Sequence, residues 1–258
     1  MKCKDIMAFL NKLAPLSYAE SWDNVGLLVG DNDKEVNTIF LAVDATDRVL
    51  DEACEAGADM LITHHPLIFS GLKSVNEDHF VGRRVRRLIR EDICYCAMHT
   101  NFDIAGDMAG IVVARLPFWE SKVLCETADG FGLGRIGLLE KPMCVGELVE
   151  LIKKQFDIPS VVLYGNQDQV VERVAVLPGS GKSEIKEAIR QCADVMVTGD
   201  IDHHVGIDAL AEGMILIDAG HYGLEKVFVE YMKHSLEKEW GGTICVRTEQ
   251  IMQPFTVL

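Results

Sequence analysis

The chain is short of positive charge: 25 lysines and arginines stand against 40 aspartates and glutamates, a formal net charge of −15 at pH 7. An acidic surface of that size repels a nucleic-acid backbone and an anionic membrane, so neither is expected as a partner. One basic run, Arg83-Arg84-Val85-Arg86-Arg87-Leu88-Ile89-Arg90, departs from the balance. Its spacing predicts an amphipathic helix with a solvated arginine face rather than a polyanion site. No uninterrupted apolar stretch reaches membrane-spanning length, and the first residues lack a charged-then-apolar leader. No CxxC pair occurs among the eight cysteines (Cys3, Cys54, Cys94, Cys96, Cys125, Cys144, Cys192, Cys245), most of which lie inside apolar segments. They read as small buried hydrophobes of a reducing compartment, not as a disulfide frame, and the expectation is a cytoplasmic protein. What the chain does hold is 48% hydrophobic residues over a length of 258, enough for one large or two modest domains.

Its most informative stretch is Met60-Leu61-Ile62-Thr63-His64-His65-Pro66. An apolar run that stops on polar residues and a proline predicts a buried parallel strand meeting its loop. In open α/β sheets ligands sit just past the carboxyl ends of such strands. Strands are also predicted at 38–43 and 93–97, with helices over 4–14, 46–56 and 78–90 and another starting near Gly106. Thr46 is the expected cap of the second helix and Gly57 its terminator. Strand-helix alternation of this kind is the signature of a parallel sheet. Ser21 to Asp31 reads as a polar turn running into a short strand; Asp23-Asn24 is a candidate functional pair, although turn chemistry alone accounts for those residue types.

After Leu116-Pro117 the pattern changes to glycine-rich, short apolar runs, with Gly130, Gly132, Gly134 and Gly137. A domain junction is placed here, giving a first α/β unit over 1–117 and a second over 118–258 whose C-terminal segment can pack back on the first. The second half is expected to hold an antiparallel or edge strand at 133–139, strands at 160–164, 173–177, 195–197, 214–217 and 243–246, and helices at 145–156, 183–192, 205–212 and 222–237. The two halves align at their crests. Ala58 to His65 matches Ala193 to Asp200 without gaps, and His99-Thr100-Asn101-Phe102-Asp103 stands beside His221-Tyr222-Gly223-Leu224-Glu225. A duplicated α/β unit, with mostly parallel sheets flanked by helices, would gather these crests around one crevice.

The crests collect His64, His65, His99, Asp103, Asp200, His221 and Glu225. Imidazole is the commonest metal-binding side chain, and a histidine with a carboxylate one helical turn on makes a two-toothed platform. Three histidines and two carboxylates exceed one tetrahedral site and suit two divalent ions with open positions. Mixed imidazole and carboxylate ligation fits zinc, iron, manganese or nickel alike.

These residues resemble the Nif-three-like family, whose bacterial members carry the label GTP cyclohydrolase I type II homolog. The matching stretches are Ser21-Trp22-Asp23-Asn24-Val25-Gly26-Leu27, Thr63-His64-His65-Pro66, His99-Thr100-Asn101-Phe102-Asp103, Thr198-Gly199-Asp200 with His204 nearby, and Gly220-His221-Tyr222-Gly223-Leu224-Glu225. The resemblance implies a dinuclear metal centre between the halves, with His65 and Asp103 on one ion, His64 and His221 on the other, and Glu225 bridging. It also implies a ring-shaped homohexamer. Some longer members carry an inserted domain that a chain of this length lacks.

His99 and Glu225 are the catalytic candidates. His99 either acts on a ligand as acid or base or only orients the Asp103 loop. Asp200 and His204 are candidates for steadying imidazoles, and His203 and His79 are expected at the surface. Pro178-Gly179-Ser180-Gly181-Lys182-Ser183 imitates a phosphate loop but has Val176 where the Walker pattern needs glycine. What remains is weak anion binding by a glycine-rich turn opening a helix, with Lys182 close by. The function expected is a metal-dependent hydrolase of a small molecule, nucleotide-like and with GTP ring opening included. The alternative is a non-catalytic metal-binding scaffold or regulatory interaction protein.

Overall fold

Short apolar runs with polar stops become strands, and the amphipathic runs between them become the covering helices. The computed structural model describes residues 1–127, 129–250 and 255; the remainder of the C-terminal segment assigned to the second half lies outside the described residues. In chain order the elements are α1 (Cys3–Leu13), β1 (Gly26–Val29), β2 (Thr38–Ala42), α2 (Asp47–Glu55), β3 (Met60–Thr63), α3 (Phe80–Arg90), β4 (Cys94–Ala97) and α4 (Thr100–Ile104). There follow α5 (Met108–Val113), β5 (Phe118–Glu126), β6 (Gly132–Cys144), α6 (Val145–Gln155), β7 (Val162–Tyr164), β8 (Val170–Ser180) and α7 (Ile185–Arg190). The chain closes with β9 (Val195–Gly199), α8 (His203–Ala211), β10 (Ile215–Asp218), α9 (His221–Glu225), α10 (Val227–Trp240) and β11 (Cys245–Thr248). The fold is α/β, with two sheets flanked by helices. It divides into two compact units, Met1–Gly106 with Phe228–Met252, and Asp107–Val227 with Gln253–Leu258.

The first unit is built on the sheet β1-β4-β3-β2-β11. β4, β3, β2 and β11 run parallel, and β1 closes one edge antiparallel to β4. Every residue of β3 and β4 is buried, as expected of parallel strands covered on both faces. α2 starts where Thr46 accepts the Val49 N–H at 3.2 Å, and Gly57, at φ +62°, follows its end. α3 buries Val81, Val85 and Leu88 against the core and turns its arginines outward. Arg84, Arg86, Arg87 and Arg90 pair with Asp47, Glu77, Asp51 and Glu91, so that face is a solvated ion-paired one.

The second unit carries the sheet β5-β6-β8-β9-β10-β7. Its centre, β8, β9 and β10, is parallel, while β5, β6 and β7 join antiparallel. The strand expected at 133–139 is longer, and it lies between β5 and β8 rather than at an edge. The edge is β5, whose residues are mostly exposed and whose one fully buried side chain is Leu124. Without a buried face it has no period-two apolar pattern to announce it.

Two other differences bear on function. Right after β4 the chain makes one extra turn of helix, α4, ahead of the helix expected near Gly106. The long helix expected over 222–237 is broken at Lys226 into α9 and α10. Each unit thus contains a one-turn helix directly after a strand. Among the described residues no helix is long and apolar enough to cross a membrane.

Candidate functional site

In the first unit the backbone keeps pairing past the end of β3: His64 and His65 donate their N–H groups to the carbonyls of Ala42 and Val43 at 3.3 and 2.9 Å. Consecutive strand residues face opposite ways, yet the turn into Pro66 brings both rings together, with centroids 4.9 Å apart. His99, the N-cap of α4, adds a third ring, 5.3 Å from His64 and 5.5 Å from His65. One ligand atom from each of these three histidines lies within 4.8 Å of the others, a group that could hold a metal ion. Asp103 stands one turn along α4, its Oδ1 3.5 Å from His64 Nε2. Phe102 and Phe228 pack at 6.5 and 5.4 Å from the fully buried His64 ring.

Each ring is oriented from behind. His64 Nδ1 lies 2.7 Å from the Met98 carbonyl oxygen, His65 Nδ1 2.8 Å from Asp44 Oδ1, and His99 Nδ1 2.9 Å from Asp23 Oδ1. A carbonyl only accepts, so His64 carries its proton on Nδ1 and, as a neutral ring, presents a bare Nε2. The two aspartates impose the same tautomer on their partners. Metal-binding histidines are held in this way, by an oxygen acceptor on the nitrogen away from the ion.

Asp23 has a fully buried side chain. Burial pushes its carboxyl up, but the hydrogen bonds from His99 Nδ1 and from the Thr100 hydroxyl (2.5 Å) and N–H (3.0 Å) outweigh that and hold it well below the usual carboxylate range. Sequence reasoning assigned Asp23 to the turn and passed over Asp44. Asp44 was findable, because it follows an apolar strand just as His64 does.

In the second unit, His221 opens α9 right after β10, and Glu225 ends it. His221 Nε2 lies 3.1 Å from Glu225 Oε2, and its Nδ1 lies 2.7 Å from Asp200 Oδ2. Asp200 sits past β9 in the left-handed region, at φ +58°. Glu225 is 3% exposed, so its charge needs a compensating cation or proton. If Asp200 holds the proton of a neutral His221 on Nδ1, Nε2 and the carboxylate are two acceptors facing each other. That arrangement calls for a shared proton or a shared cation, and so does His64 with Asp103.

Two glycines make room for the pair. A Cβ on Gly179, at φ +75°, would lie 2.4 Å from Glu225 Oε1, and one on Gly199 would lie 2.6 Å from the His221 backbone nitrogen. The phosphate-loop resemblance of this segment has no structural counterpart. Pro178, Gly179 and Ser180 belong to β8, and the Gly181 N–H is already donated to Thr198 Oγ1 at 2.9 Å. Lys182 is exposed, and α7 is a short helix beyond it. His203, His204 and His79 are exposed, and the His204 ring meets the His203 ring edge-on, with centroids 5.4 Å apart.

Comparison with known proteins identifies the family. The family model for Duf34/NIF3 (NGG1p interacting factor 3) matches residues 1–253. The chain is 34% identical over 228 residues to the GTP cyclohydrolase 1 type 2 homolog of Clostridium perfringens, covering 87% of each chain. It is 35% identical over 241 residues to the protein of that name from Clostridium acetobutylicum, covering 92% of this chain and 90% of the other. Among solved structures, the Staphylococcus aureus hypothetical protein SA1388 superposes with a TM-score of 0.91 at 32% identity, over 100% of this chain and 99% of that one. The match runs through both units, and the chain belongs to the Duf34/NIF3 family.

Proposed function

We propose that this protein holds two divalent cations on its histidine–carboxylate clusters and uses them to hydrolyse a nucleotide-like small molecule. The observation that carries the reading is the set of oxygen acceptors on Nδ1 of His64, His65, His99 and His221. Four imidazoles with the same nitrogen committed leave the same nitrogen, Nε2, for a ligand. The ligand set proposed is His65 and Asp103 for one ion, His64 and His221 for the other, with Glu225 shared. Zinc, iron, manganese and nickel all suit these donors. Bound divalent ions supply Lewis acidity and make the water they hold a stronger acid.

The chain's own residues provide the rest. His99, backed by the buried and ionised Asp23, is placed to take up or release a proton, since the carboxylate stabilises positive charge on the ring. Glu225 and Asp103 offset cation charge. The name shared by the clostridial relatives supports GTP as the first substrate to try, with ring opening and release of formate.

The test is metal content by mass spectrometry on protein purified without chelator, followed by formate release from GTP. About two ions per chain, lowered in His64→Ala and His221→Ala, is the expected result. Metal without turnover above a His65→Ala control leaves a metal-binding scaffold, and absence of metal in the wild-type protein overturns the reading. The proposed assembly is a homohexamer, checked by sedimentation.

A further inference from the structure

The first unit contains a cavity of about 360 Å³ that shares His65 with the proposed metal ligands and is otherwise walled by residues outside that ligand set. Phe69 and Phe80 also line it and are 55% and 45% exposed. Large aromatic side chains left half in solvent around a cavity are unusual unless a ligand covers them. Trp22 extends the same wall toward the histidines, with its ring 5.7 Å from Phe69 and 6.0 Å from His99. The loop carrying Phe69 is anchored by the two residues that precede it. Asn24 Nδ2 donates to the Ile68 carbonyl at 2.5 Å, and the Leu67 N–H donates to the Tyr95 hydroxyl at 2.7 Å.

The polar part of the lining has an acidic end, where Asp44 meets His65 Nδ1, and a donor end at Arg84 and His79. Arg84 gives Nε and one Nη2 hydrogen bond to Asp47 at 2.9 and 3.0 Å and lies 4.9 Å over the Phe80 ring. Among the described residues its Nη1 makes no hydrogen bond. His79 Nδ1 accepts the Val81 N–H at 3.3 Å, so a neutral His79 carries its proton on Nε2 as a donor.

We propose that this cavity seats a planar heteroaromatic ligand bearing an anionic substituent. The ring lies against Phe69 and Phe80, the anion meets Arg84 Nη1 and His79 Nε2, and the reactive edge points to His65. A volume of about 360 Å³ admits a ligand near nucleoside size, at the small end of ligand pockets. Only the delivery to His65 rests on the metal-dependent function proposed above; the aromatic and basic walls are independent of it.

Guanosine 5′-monophosphate is the probe, with guanosine and inorganic phosphate as its two parts, titrated by calorimetry into metal-loaded and chelator-treated protein. The expected result is binding of the monophosphate, followed also by quenching of tryptophan fluorescence that disappears in Trp22→Phe. Phe69→Ala and Phe80→Ala each weaken monophosphate and guanosine alike by about tenfold, the scale of one lost base–aromatic stack. Arg84→Gln lowers monophosphate affinity toward that of guanosine and leaves guanosine unchanged. Metal content stays at the wild-type level in the Phe69, Phe80 and Arg84 variants. Monophosphate binding undetectable at millimolar concentration, or insensitive to both phenylalanine substitutions, overturns the assignment. Retained monophosphate binding in a protein that takes up no metal refutes the metal reading while upholding the cavity.

Discussion

Gly179 and Glu225 occupy space that only a glycine can share: the missing Cβ would lie 2.4 Å from the carboxylate Oε1. A residue on β8 therefore decides where a carboxylate on α9 can stand.

Gly179→Ala is expected to displace Glu225 and to strain the backbone, since φ there is +75°. The strain alone costs about 1–3 kcal/mol. Metal affinity should fall by about tenfold or more in a calorimetric titration. Gly57→Ala, at φ +62° with nothing within 4 Å, is the control, and it should lower the melting temperature with metal affinity kept. Equal metal affinities in the two variants would remove Gly179 from the account.

Asp23 supplies the pH dependence. Its folded pKa is depressed, so its contribution to stability is complete above its unfolded value of about 3.9 and is lost as pH falls below that toward the folded value. Asp23→Asn should cost about 1–3 kcal/mol at pH 7, because charge-assisted hydrogen bonds to His99 and Thr100 are weakened. The difference from wild type should shrink below about pH 4, where the unfolded wild-type chain takes up a proton on this carboxyl and the folded protein does not. Urea unfolding at pH 7 and pH 3 reads both points, and a gap that widens in acid contradicts the assignment.

Tyr95 holds the turn that aims His65. Its buried hydroxyl accepts the Leu67 N–H at 2.7 Å, lies 2.8 Å from Thr63 Oγ1 and donates to the His65 carbonyl at 3.0 Å. Tyr95→Phe leaves the buried Leu67 N–H without that acceptor, at a cost of about 1–3 kcal/mol. Chemical unfolding should show that loss, and metal affinity should fall a few-fold because the His65 backbone is less fixed. An unfolding midpoint equal to wild type would show that Leu67 finds another acceptor.

Sequence alone determined where the candidate site's histidines lie along the chain. Buried strands must be apolar and loops need not be, so the polar residues at the ends of β3, β4 and β10 stand out as His64, His65, His99 and His221. The arginine face of α3 was legible from its spacing for the same reason. Tertiary structure alone decided what stands behind each ring. Asp23 reaches His99 across 76 residues of chain, and the Met98 carbonyl reaches His64 across 34. A backbone carbonyl leaves no mark in a sequence, and an aspartate in a turn looks the same whether or not it holds an imidazole. The one-turn helix that places Asp103 beside His64 was hidden likewise, because a single turn is too short to show a periodicity.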